Sequence, residues 1–129
     1  MIACGLWLSR QRLVGVLVGD RGEPWRTLRA ALTDDARFGL VEYLAQSGCE
    51  VVATEALARA DLLPAHAARR GVSVWLVDDQ FAAALFAVAA VRSSARAAAL
   101  LARLRLVAHW RPSLRRLALA DPDRQLPLL

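Results

Sequence analysis

Acids that directly follow apolar runs are the positions in this sequence best suited to chemistry. Glu55 closes the run Val51-Val52-Ala53-Thr54, and Asp78 and Asp79 close a second run over residues 72–77. If both runs are parallel strands, these carboxylates end at one sheet edge, where a cluster of oxygens can hold a divalent cation. The plainer use of Asp78 and Asp79 is capping, since an acid at a helix start accepts from free amides and faces the positive end of the dipole. That reading is adopted here. Taken alone, Glu55 is an acid after a strand, suited to pairing with an arginine. Asp20, Asp34, Asp35 and Asp61 fall in turns or at helix starts.

Spacing argues against other chemistries. Ser93 and Ser94 have no lysine or histidine placed to activate a nucleophile and read as a helix cap. His66 lies among alanines and arginines, and His109 beside Trp110 near a helix end; both are read as structural. Cys4 and Cys49 make neither a disulfide framework nor a zinc pattern and read as buried, reduced thiols. The seven glycines are scattered and none precedes a Lys-Ser/Thr pair, so there is no phosphate-binding loop. No metal or cofactor is expected from these residues.

The arginines are the remaining candidates. All 17 basic residues are arginine and the formal charge is +5, which permits binding to an acidic polymer without requiring it. On a helix through residues 92–108, turning about 100° per residue, Arg92, Arg96 and Arg103 fall within about 40° of one another. They form one stripe, with Ser94, Ala97, Leu101, Leu104 and Ala108 on the opposite side facing the sheet. Arg111, Arg115 and Arg116 extend the basic surface, and Arg69-Arg70 is a separate pair. The candidate nucleic-acid or acidic-partner surface is therefore Arg92, Arg96, Arg103, Arg111, Arg115 and Arg116; the bland alternative is a set of solvated faces. Base-stacking candidates are limited to Trp25, Trp75, Phe81, Phe86 and Trp110, most of them in apolar runs.

These residues need elements to position them. Apolar runs over residues 2–8 and 13–19, joined by Ser9-Arg10-Gln11-Arg12, read as a hairpin. After Asp20-Arg21-Gly22, residues 25–32 read as a third strand with Trp25, Thr27, Arg29 and Ala31 on one face. Thr33-Asp34-Asp35 opens a helix on which Phe38, Val41, Leu44 and Ala45 recur, and Gly48 stops it. A strand over 51–54 follows, then a helix between Asp61 and Arg70 with Pro64 in its first turn and Gly71 as its stop. A strand over 72–77 leads to helix formers over 81–107, divided at Ser93-Ser94. The order predicts one α/β domain: a five-stranded mixed sheet, three antiparallel then two parallel strands, with flanking helices.

That order is also that of the ribonuclease H-like fold, and particular residues carry the likeness further. Gly5-Leu6-Trp7-Leu8-Ser9 stands where one family opens with Gly-x-Asp-x-Ser/Ala. Val51-Val52-Ala53-Thr54-Glu55-Ala56 matches its acid after the fourth strand, and Gly71-Val72-Ser73-Val74 its Gly-x-x-Val strand. Arg92-Ser93-Ser94-Ala95-Arg96-Ala97-Ala98 stands where the family has Lys-Thr-Asp-x-x-Asp-Ala. Over most of its length the chain resembles the N-terminal domain of DEDD-type insertion-sequence transposases and Piv-type DNA invertases, relatives of the Holliday-junction resolvase RuvC.

In such enzymes four carboxylates hold two divalent cations for phosphodiester transfer. Carried over, their positions are Trp7, Glu55, Ser94 and Ala97, and only Glu55 is an acid. The resemblance thus implies a ribonuclease H-like domain over 1–112 with a degenerate active site, and a tail over 113–129 that packs on it or is partly disordered. The expected role is non-catalytic: binding nucleic acid, DNA rather than RNA, or a protein partner, as a homodimer. Two rivals are kept, a scaffold module of an actin-like or secretion-type assembly and a residual metal-dependent DNA nuclease.

The 57% hydrophobic share argues against disorder. No run approaches the roughly 18 apolar residues of a membrane span, and the apolar start lacks the basic leader of a signal sequence. A cytoplasmic protein is expected. The small residues in 81–107 suit close helix contact and suggest a second partner surface.

Overall fold

Three consecutive strands, β1 (Ala3–Leu8), β2 (Arg12–Val18) and β3 (Pro24–Ala31), form an antiparallel meander. The computed structural model describes residues 1–118. Ser9 closes the first turn by donating to the Arg12 carbonyl from its amide at 2.9 Å and its hydroxyl at 3.0 Å. Gly22, at φ 82°, closes the second. The β2–β3 register slips once, with Leu17 opposite Arg26 but Val18 opposite Pro24, so Trp25 is bulged out of the pairing.

Helix α1 (Asp34–Ser47) starts and stops where its caps dictate. The Thr33 hydroxyl accepts from the Ala36 amide at 3.2 Å, and Gly48 terminates it at φ 65°. It buries Leu40, Val41 and Leu44. Phe38, expected on that face, is 68% exposed, because Leu40 takes the inward position and residues two apart point about 200° from each other.

Strand β4 (Glu50–Thr54) pairs parallel with β1, and β5 (Val74–Val77) parallel with β4. The fifth strand starts later than residue 72 because the Val72 amide is committed to the Ala67 carbonyl at 2.9 Å. Two helices stand between these strands where one was expected over 61–70. They are α2 (Glu55–Ala60), capped by the Thr54 hydroxyl, and α3 (Leu63–Arg69), with Pro64 in its first turn. Asp61 separates them: its buried carboxylate accepts from the Leu63 amide at 2.8 Å and from Arg37 Nε at 3.0 and 3.1 Å.

Helices α4 (Asp79–Val88) and α5 (Ser94–Leu106) are capped by Asp78 and Ser93, as the sequence suggested. The residues after α5 depart from expectation. A 3₁₀ helix, Ala108–Ser113, leads into β6 (Leu114–Arg116), antiparallel to β5. Among the described residues the sheet thus has six strands rather than five, in the order β3-β2-β1-β4-β5-β6. Residues 119–129, the remainder of the expected tail, lie outside the described residues.

Each face of the sheet is covered differently. Leu6, Leu13, Leu17 and Leu76 pack with Leu40 and Leu44 of α1 and Leu63 of α3. On the other face Val14, Val16 and Val18 meet Ala98, Ala99 and Ala102 of α5. The helix lies so close to β1 that a Cβ on Gly5 would come within 1.7 Å of the Ala98 carbonyl oxygen. Among the described residues no helix is long and apolar enough to cross a membrane.

Candidate functional site

The direction of α5 decides which residues share an end of the sheet. Arg103 Nε donates to the Gly22 carbonyl at 2.9 Å and Arg105 Nε to Glu50 at 2.8 Å. Gly22 and Glu50 lie at the amino-terminal ends of β1 and β4, so α5 runs antiparallel to these strands and its first turn lies toward their carboxyl ends. Trp7 on β1, Glu55 after β4, and Ser94 and Ala97 at the start of α5 are therefore brought to one end of the sheet.

What stands there is not a carboxylate cluster. A cleft of about 180 Å³ is lined by Trp7, Leu8, Thr54, Ala56, Leu57 and Ala60, none of them an acid. Trp7 packs edge-on against Phe86 with ring centroids 5.2 Å apart and planes at 79°, a favourable aromatic geometry. Ala97 is buried, and Ser93, not Ser94, caps α5 by accepting from the Arg96 amide at 3.1 Å.

Glu55 is held by a cation of the protein itself. Arg115 on β6 donates Nε to Oε1 at 2.5 Å and a terminal nitrogen to Oε2 at 2.7 Å, the bidentate fork that guanidinium and carboxylate favour. The hydrogen bond that Arg115 donates to Glu55 holds the Arg115 pKa above its ordinary value. The expected arginine partner of Glu55 thus exists. Its identity was not legible, because it sits on a strand that only the tertiary structure reveals.

The neighbouring acids are also engaged. Asp78 accepts from the Gln80 and Phe81 amides at 3.0 and 3.1 Å, the capping role expected of it. Asp79 accepts from the Ala56 amide at 2.9 Å and pairs with Arg59 at 3.0 Å, tying α2 to α4. Two divalent cations need a set of unengaged oxygen ligands, and these residues do not fit them. Among the described residues no three His, Cys, Asp or Glu side chains gather as a metal site.

The arginine stripe is corrected by the capping of α5. Arg92 precedes the Ser93 cap and lies outside the helix, and Ala108 lies beyond its end, so only Arg96 and Arg103 share the face. The remaining arginines do not extend it. Arg115 and Arg116 sit on β6, at the opposite edge of the sheet from β3. Arg116 donates to the Ser73 hydroxyl at 3.2 Å and Arg111 to the Arg105 carbonyl at 3.0 Å. Arg92 and Arg96 are exposed, with no ion-pair partner among the described residues.

Elsewhere the histidines and cysteines offer no assembled site. His66 lies on a groove of about 580 Å³ between α1 and α3, beside the Arg70–Glu42 pair. His109 packs edge-on to Trp110 at 5.2 Å. Both cysteines are buried; burial pushes the Cys49 thiol up to about 11 and the Cys4 thiol well above its ordinary range. These are unreactive core thiols.

No protein-family model and no curated protein sequence matches the chain. Among solved structures it is similar to T. thermophilus RuvC in complex with a Holliday junction substrate. The identity is 14% and the TM-score 0.63, over 91% of this chain and 99% of that one. The chain therefore has a ribonuclease H-like, RuvC-like fold.

Proposed function

We propose that this chain is a catalytically degenerate ribonuclease H-like domain of the transposase and Piv-type invertase kind, which binds nucleic acid, DNA in preference to RNA. The observation that carries this reading is the Glu55–Arg115 pair. The one acid at the four family positions is neutralised by a guanidinium and cannot act as a free metal ligand. The fold supports a nucleic-acid role, and the exposed Arg92 and Arg96 supply charge for phosphate contacts, while Arg103, Arg111, Arg115 and Arg116 use part of their donors within the protein.

The test is an electrophoretic shift series against single-stranded, duplex and branched DNA at two salt concentrations, with Mg²⁺ or Mn²⁺ present. The expected result is salt-sensitive binding without cleavage, weakened when Arg92, Arg96 and Arg103 are replaced by alanine. Metal-dependent cleavage abolished by Glu55→Gln would overturn the non-catalytic reading. A second reading, a protein-interaction module or homodimer, is favoured by α4, where Ala83, Ala84 and Ala87 are exposed and Val88 is 86% exposed. Concentration-dependent self-association with no affinity for nucleic acid would select it.

A further inference from the structure

The groove between β3 and α5 narrows the kind of nucleic acid, and the inference drawn from it rests on the reading above. β3 is an edge strand, and six of its eight residues are exposed. Beside it runs a groove of about 280 Å³ whose walls include Pro24 and Thr27 on one side and Arg96 and Arg103 on the other. Among the described residues no acid lines it. Arg29 is placed on the same face of the sheet, because it pairs with Val14, which packs beneath α5. Arg29 and Arg96 are both exposed. Arg103 is anchored to the Gly22 carbonyl through Nε, and its terminal nitrogens have no partner among the described residues.

The bulge in β3 adds an aromatic surface. Trp25 follows Pro24 on the groove wall, has no partner in the β2–β3 register and is 49% exposed. A bulge re-aims the side chain it carries. A half-exposed indole next in the chain to a groove residue, with exposed guanidinium groups along that groove, suits a phosphodiester chain whose bases are free to stack, which a duplex does not offer. We infer that the α5–β3 groove binds single-stranded nucleic acid, with Arg29, Arg96 and Arg103 on the phosphates and Trp25 stacked on a base. This surface is separate from the cleft lined by Trp7, Thr54 and Leu57.

The test uses the full chain and a fluorescent oligothymidylate, which cannot pair with itself, followed by anisotropy over a salt series. Trp25→Ala is expected to weaken binding about fivefold or more, the low end of losing one stacked base, and Trp25→Phe to restore most of it. Arg96→Ala should lower the slope of log affinity against log salt by about 0.7, one single-strand phosphate contact. Arg116→Ala, on the far sheet edge, should change nothing, and duplex of equal length should bind more weakly. Trp25 and Arg96 are both exposed, and circular dichroism checks that their variants fold.

Binding unmoved by Trp25→Ala and Arg96→Ala but lost in Arg116→Ala overturns the groove assignment while leaving the nucleic-acid reading standing. Equal affinity for duplex with no effect of Trp25→Ala overturns the single-strand inference in the same way. Failure to bind any nucleic acid at low salt, with capture of a polyglutamate chain instead, overturns both.

Discussion

Arg115 and Glu55 face each other across 60 residues of sequence, joined by two parallel contacts of 2.5 and 2.7 Å. The guanidinium balances the carboxylate's charge, and it arrives on β6, a strand of three residues.

Replacing Arg115 by alanine is expected to release Glu55 without creating a metal site. One freed carboxylate beside Trp7 and Ala97 lacks the further oxygens that Mg²⁺ or Mn²⁺ requires. Titration calorimetry of Arg115→Ala should show no divalent-cation binding, and stability should fall by no more than about 1 kcal/mol, because the pair is partly exposed. Stoichiometric Mn²⁺ binding by this variant would show that the pair masks a competent site.

Gly5→Ala is expected to be among the most destabilising single changes. The added Cβ would meet the Ala98 carbonyl oxygen at 1.7 Å and the Ala102 nitrogen at 2.9 Å, both backbone atoms of α5. The helix must lift away from β1, and a loss above about 4 kcal/mol is expected, in the range reserved for core disruption. Denaturant unfolding measures it. A loss below about 1 kcal/mol would mean that α5 does not sit this closely.

Asp61→Ala should cost ~3 kcal/mol or more. Its carboxylate is 3% exposed, caps Leu63 and binds Arg37, so its removal orphans the Leu63 amide and leaves the partly buried Arg37 the longer 3.7 Å contact to Asp34. Asp61→Asn should recover part of the loss by keeping an acceptor for the Leu63 amide. Urea midpoints of the two variants order these effects; equal midpoints would leave the capping contribution without support.

Stability should fall at alkaline pH through the two core thiols. Their folded pKa values lie above the ordinary value of 9.0, Cys49 at about 11, because burial disfavours the thiolate. The stabilisation is complete below the unfolded thiol pKa and is lost as pH rises from there through the folded values. Cys49→Ala should therefore show a shallower loss of stability between neutral pH and about pH 10 than the parent chain. A thiol-specific reagent should modify neither cysteine until the chain unfolds, and rapid modification of the folded protein would contradict their burial.

Legibility followed the range of the interactions. Thr33, Asp78 and Ser93 were readable as helix starts, and Gly48 and Gly71 as stops, because each acts through hydrogen bonds or dihedral preferences within a few residues. The arginine stripe was half readable. A helical wheel aligned Arg92 with Arg96 and Arg103, but the Ser93 cap starts the helix after Arg92 and removes it from the wheel.

The sequence by itself determined most of the elements and their order, though not α2 or β6. Only the tertiary structure decided that Arg115 closes on Glu55, that Arg103 reaches Gly22 across 81 residues, and that Trp25 is bulged out of the β2–β3 pairing. Caps, turns and periodic runs are set by neighbours in the chain. Ion pairs and grooves depend on which strands lie side by side, a choice made by packing the whole core.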